Sequence, residues 1–225
     1  DRKYGDHSGN RGLCRFYNHG SIGDQSSSFS GVYPIGSGHS YIWEFSPIIA
    51  ASVVDTNGFR KHIVSDGISG LLDASPEGTP WSFEPLEGYA NPNQDNLAMS
   101  DDEGSWPNSW PNRTEDWNGE WNGQYGKYVR ADQESYFVVD DYYNSEFEFW
   151  PDDNDKPESI TESPDDHRRG LGIEMEARGY QWNHPAAEDI IIVTYWITNV
   201  GSSVLDSVVF GMYGDADIGG ASSFS

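Results

Sequence analysis

The hydrophobic stretches of this chain read as β-strands rather than helices, and in one of them apolar and polar positions alternate with a period of two. In Leu171–Trp182, Ile173, Met175 and Ala177 fall on one face, and Glu174, Glu176 and Arg178 on the other. That period marks a half-buried antiparallel strand. Ser40–Asp55 is rich in β-branched and aromatic residues, and Pro47 argues against a continuous helix. Asn57-Gly58 has turn chemistry, so Ser40–Asp55 and Phe59–Gly67 are expected to form a hairpin. Glu134–Tyr143 is a further strand candidate. Asp189–Gly219 holds two more, Ile190–Thr198 and Leu205–Tyr213, flanking the turn sequence Asn199–Ser203. Both faces of Ile190–Thr198 are largely apolar, as expected for a central strand covered on both sides.

Long polar stretches separate these strands: Ser65–Gly78, Glu84–Tyr128 and Asn144–Gly170. Loops beyond about 15 residues are uncommon unless they are functional or disordered. Ser105–Gly126 carries four tryptophans, Trp106, Trp110, Trp117 and Trp121, among Pro, Asn, Gly and acidic residues. Each pair is spaced four apart, but Pro107, Pro111, Asn118-Gly119 and Asn122-Gly123 favour successive turns over a helix. Anchoring at an interface suits these indoles, since Trp is enriched there, and two other roles do so as well. They can bury about 150–250 Å² each and fix the loop to a sheet, or they can stand exposed as stacking surfaces for sugar rings. They are therefore the candidate ligand-binding residues.

The expected fold is all-β, an antiparallel β-sandwich core with long, ordered, aromatic-anchored loops. Residues 1–225 are expected to form one β-rich unit. A sub-boundary is expected near 126–132, separating a loop-rich part (1–128) from a sandwich part (129–225). Asp1 is not a methionine and the sequence ends just after a strand-like run, so a processed chain or a piece of a longer one is expected.

Charge narrows the partners. The chain has 37 acidic and 13 basic residues, a formal net charge of −24. That field repels nucleic acid and anionic lipid, and no apolar run approaches the ~20 residues of a membrane span. Nucleic acid and membrane insertion are therefore not expected. The same charge suits a solvated exterior or divalent cations. The aromatic content of 14% argues against general disorder. Cys14 is the one cysteine, so no internal disulfide forms; for a secreted chain this favours a bacterial origin.

Motifs for chemistry are few. The sequence has no nucleophile elbow, phosphate loop, dinucleotide fingerprint or H-E-x-x-H. The six histidines are scattered, and one cysteine cannot build a zinc or iron–sulfur site. Adjacent carboxylates such as Asp101-Asp102 and Asp140-Asp141 occur, as so acidic a chain produces by chance. Calcium is the more specific possibility, because it takes six to eight hard oxygens from loops. In Gly214–Gly220, Asp215 and Asp217 lie on one side of an extended segment beside glycines. These two are the candidate Ca²⁺ ligands.

Five longer strings carry a resemblance: "YPIGSGHSY" (33–41), "GYANPNQDNLAMSDD" (88–102), "DQESYFVVDDYYNSEF" (132–147), "RGLGIEMEARGYQWNHPAAEDIIIVTYWITNVGS" (169–202) and "VVFGMYGDADIGG" (208–220). Together they resemble the N-terminal region of large secreted bacterial β-sandwich proteins. Many of those carry a C-terminal type IX secretion sorting domain, which this sequence lacks. The resemblance implies an extracellular or cell-surface location in a Gram-negative bacterium, and it implies no reaction. The expected function is a non-enzymatic structural or surface-assembly module of filament or surface-layer type, associating with itself or with other surface proteins. The alternative is a module that binds or hydrolyses glycans through its Trp-rich loops and paired carboxylates.

Overall fold

The computed structural model describes residues 1–24, 29–54, 58–68, 81–142, 144, 170–201 and 204–217. The expected loops at 65–78 and 144–170 fall largely outside the described residues, as do Asn57, Ser202 and Ser203. The chain is all-β. Its strands are β1 (Tyr4–His7), β2 (Cys14–Tyr17), β3 (Ile42–Val54), β4 (Arg60–Asp66), β5 (Glu84–Pro85), β6 (Ala98–Met99), β7 (Gln133–Asp140), β8 (Ile173–Gln181), β9 (Ile192–Asn199) and β10 (Asp206–Ala216). Two single 3₁₀ turns, Glu103–Ser105 and Glu115–Trp117, are the only helical pieces among the described residues.

Every ladder between these strands is antiparallel. One sheet runs β10-β3-β4. A second runs β5-β7-β8-β9, with β6 also on β7, and β1 and β2 form a two-stranded ribbon. The β3–β4 hairpin is as expected, with Gly58 at φ +81° where its turn ends. Pro47 sits inside β3 without breaking it. The ladder with β4 starts at Ile48, so the missing N–H falls at the ladder's end.

One core joins the two larger sheets. Ile49, Ala51 and Val53 of β3 and Ile63 of β4 meet Phe137 and Val139 of β7 and Ile173, Met175 and Ala177 of β8. Cys14 and Phe16 of β2 close one side of it. This shared core is what the sandwich expectation rests on. The segment 126–132 does not separate the sheets: β3 pairs with β10, and β5 and β6 pair with β7.

A second cluster lies on the opposite face of the β7-β8 sheet. Tyr136 and Val138 of β7 pack there under Trp110, Trp121, Tyr89 and Ala98. All eight residues of β7 are therefore buried. The sequence assigned double coverage to Ile190–Thr198, and the structure corrects this. The strand there, β9, ends its sheet and is exposed along most of its length. Nor do β9 and β10 form a hairpin: β9 pairs with β8, and β10 pairs with β3 in the other sheet. The apolar pattern of Ile190–Thr198 is real, but periodicity reports what a strand can bury, not what is built over it.

Candidate functional site

The Trp-rich segment folds as a cap over the outer face of β7 and β8, and most of its indole N–H groups are spoken for. Trp110 and Trp121 are each 2% exposed, while Trp106 and Trp117 are half-buried. Trp106 Nε1 donates to the Met99 carbonyl at 2.7 Å, and Trp110 Nε1 donates to the Glu120 carbonyl at 2.9 Å. Trp121 Nε1 donates to Glu134 Oε2 at 2.7 Å. Trp117 lies under the guanidinium of Arg113, 4.5 Å from the ring centre. The rings also pack on one another, Trp106 and Trp110 both against Trp121. The indoles thus act as anchors of the loop.

Glu134 organises the base of this cap. Its Oε1 accepts from the backbone N–H of Arg130 (2.6 Å) and Ala131 (3.0 Å), while Oε2 takes the Trp121 indole. Nearby, Arg178 is 5% exposed on the outer face of β8. It donates to the Asn122 carbonyl at 2.5 Å and stacks 3.8 Å over the Tyr136 ring. Burial lowers its pKa, an unfavourable effect that these contacts offset. Tyr136 in turn donates to Glu176 Oε2 at 3.0 Å.

Beside the cap, the outer face of β8 and β9 opens into a groove of about 370 Å³. Its lining includes Arg113, Gln124, Tyr125, Glu176, Arg178 and Trp196. Trp196 is the cross-strand partner of Glu176, so both project from the same face. Trp196 is 69% exposed and Tyr125 is 68% exposed. None of these residues stands out in the sequence as a site. The one available signal is that Trp196 shares its face with Thr194 and Thr198, the parity of a solvent-facing side.

The second candidate surface is the edge where the two sheets meet. β9 and β10 each end a sheet, and among the described residues no strand pairs with their outer sides. Tyr195 of β9 packs on Phe210 of β10 with ring centres 5.6 Å apart, so the two edges lie together. Ile192, Ile197, Val208, Val209, Phe210 and Met212 are exposed along them. Residues 190–205 contain no charged side chain, although the chain carries a net charge of −24. Edge strands are normally protected by charge, proline or a covering loop.

Asp215 lies opposite Glu44 in the β3–β10 ladder, and the Asp217 N–H donates to the Tyr41 carbonyl at 3.1 Å, just past the end of β10. Both aspartates are partly exposed. Among the described residues no cluster of three or more His, Cys, Asp or Glu side chains forms around them or elsewhere. In comparisons with protein-family models, with curated proteins and with solved structures, nothing matches this chain.

Proposed function

We propose that the chain is a non-enzymatic, extracellular structural module that assembles edge to edge through β9 and β10. The observation that carries this reading is the pair of adjoining sheet edges on a strongly acidic molecule, β9 uncharged throughout and β10 carrying only Asp206 and Asp215 at its two ends. An unprotected edge offers a row of backbone N–H and C=O groups for another strand. Its exposed side chains add apolar area to that pairing. The partner that fits is a second copy of the same chain. Every copy presents the same uncharged strip, while the acidic remainder disfavours other approaches between copies. The sequence resemblance to secreted proteins supports a place outside the cell, in a filament or surface layer.

Sedimentation velocity across a concentration series tests this. The native chain is expected to form oligomers. Ile192→Lys combined with Val208→Lys is expected to return it to monomer with an unchanged melting temperature, since both side chains are exposed. A native chain that stays monomeric at every concentration overturns the reading. Salt provides a second arm. Screening of the net charge of −24 strengthens association when ionic strength rises through about 0.15 M, where the Debye length is about 8 Å.

Calcium belongs to the same proposal. An ion on Asp215 and Asp217 would tie the end of β10 to its sheet. Two aspartates supply only part of the six to eight oxygens Ca²⁺ takes, so backbone carbonyls and water complete the shell. The melting temperature is then higher in excess Ca²⁺ than in chelator, and the Asp215→Asn, Asp217→Asn double variant loses the difference. An equal melting temperature in both solutions removes the ion.

A further inference from the structure

The groove between the tryptophan cap and β9 combines exposed aromatic faces with unused polar groups. Tyr125 stands on a tight turn closed by an antiparallel bridge between Gly123 and Gly126. A side chain at Gly123 would place its Cβ 2.5 Å from the Gly126 carbonyl oxygen, so the turn requires glycine there. Arg130 braces the Tyr125 ring from 5.1 Å. Trp196 presents its indole from β9. The two aromatic side chains therefore stand on separate, independently fixed elements.

The polar groups are held as well. The Arg113 Nε donates to Asn122 Oδ1 at 2.8 Å, and its guanidinium stacks on Trp117, leaving its terminal nitrogens to the groove. Gln124 accepts the Tyr180 hydroxyl on Oε1 at 3.0 Å, which leaves its amide NH₂ as a donor. Glu176 accepts Tyr136 on Oε2, which leaves Oε1 as an acceptor. Two donors and one acceptor, beside two aromatic faces, suit a ligand with an apolar face and vicinal hydroxyls. The volume lies within the ~300–1,000 Å³ of small-ligand sites. A phosphate-bearing aromatic ligand has the wrong sign for a molecule of net charge −24.

We propose that this groove binds one hexopyranose unit of a glycan, stacked on Trp196 and Tyr125 and hydrogen-bonded by Arg113, Gln124 and Glu176. Among the described residues Glu176 is the one carboxylate that lines it. The usual route of glycoside hydrolysis takes two, so the groove holds the sugar without cleaving it. The site uses the outer face of β9 rather than its free backbone edge, and it does not depend on assembly.

The test is isothermal titration of the native chain with soluble oligosaccharides of glucose, mannose, galactose, N-acetylglucosamine and a hexuronic acid, together with a lysine-rich peptide. At least one oligosaccharide series is expected to bind. Tyr125→Ala and Glu176→Gln are each expected to weaken that binding about tenfold or more. Tyr125→Ala leaves the melting temperature and the sedimentation pattern unchanged, because the ring is exposed and lies off the edge. The Ile192→Lys, Val208→Lys variant keeps sugar binding. The proposal is overturned if every oligosaccharide is silent, if binding survives Tyr125→Ala and Trp196→Ala together, or if the lysine peptide alone binds.

Discussion

Glu134 and Trp121 show how a single contact fixes a long loop. The carboxylate is 2% exposed, and its three hydrogen bonds reach the indole and two backbone amides. Removing one partner of a buried hydrogen bond leaves the other unsatisfied, at a cost of about 1–3 kcal/mol. Trp121→Phe keeps most of the ring but strands Glu134 Oε2. Glu134→Gln replaces one acceptor oxygen with an amide NH₂, which then faces the Trp121 indole N–H or the two backbone N–H groups as donor against donor. Each variant is expected to lower stability by about 1–3 kcal/mol in urea unfolding, and Trp121→Ala by about 3–5 kcal/mol. The double variant is expected to lose less than the sum of the single losses, because the two changes delete one shared bond. Strict additivity would show that the pair does not act together.

Two histidines at the same scale set a pH dependence. His7 and His19 are almost fully buried, and burial lowers the pKa of each to about 3. His7 Nε2 meets Ser135 Oγ at 2.8 Å, while both ring nitrogens of His19 lack a partner among the described residues. In the unfolded chain both titrate near the ordinary value of 6.5. Between pH 6.5 and 3 the unfolded state therefore holds more protons than the native one. Stability falls as the pH drops through that window, by about 1.4 kcal/mol per pH unit for each histidine. Unfolding free energies measured from pH 7 to pH 4.5 test this. His19→Leu is expected to flatten the slope by about half, and an unchanged slope would remove the histidine from the account.

Elements carry the difference between what pattern shows and what packing decides. The alternation in Leu171–Trp182 became β8 with Ile173, Met175 and Ala177 in the core, as expected. Alternation is a local property, and a strand with one apolar face has one side to bury. For Ile190–Thr198 the pattern is two-sided, and two-sidedness has more than one solution. The structure leaves β9 at an edge and sends the chain across to β3, while the aromatic cap falls on β7. That cap comes from residues 89–121, 12 to 44 positions before β7 begins, so no local pattern around β7 contains it as a whole. The groove is hidden from the sequence for the same reason. Trp196, Glu176, Tyr125 and Arg113 come from two strands and two positions of one loop, brought together by the β8–β9 register, the Gly123–Gly126 turn and the hydrogen bonds of Asn122 and Gln124 to Arg113, Arg178 and Tyr180.

At the scale of the whole molecule, charge and shape set the proposed assembly. Copies with a net charge of −24 repel one another least along the uncharged strip of β9 and the apolar middle of β10 between Asp206 and Asp215. The proposed groove lies on the outer face of the sheet that β9 ends, so a polymer joined at its edges would leave the groove facing solvent. By itself the sequence determined strand type, the inward face of β8, the β3–β4 hairpin, the acidic exterior and the absence of the familiar catalytic motifs. These follow from backbone propensity, side-chain parity and net charge, which act over a few residues or over the composition. Only the tertiary structure decided which strand is covered on both faces, which edges stay open, and which polar groups face a common cavity. Those outcomes depend on antiparallel pairing between residues more than a hundred positions apart, as between β3 and β10, and no local pattern encodes that register.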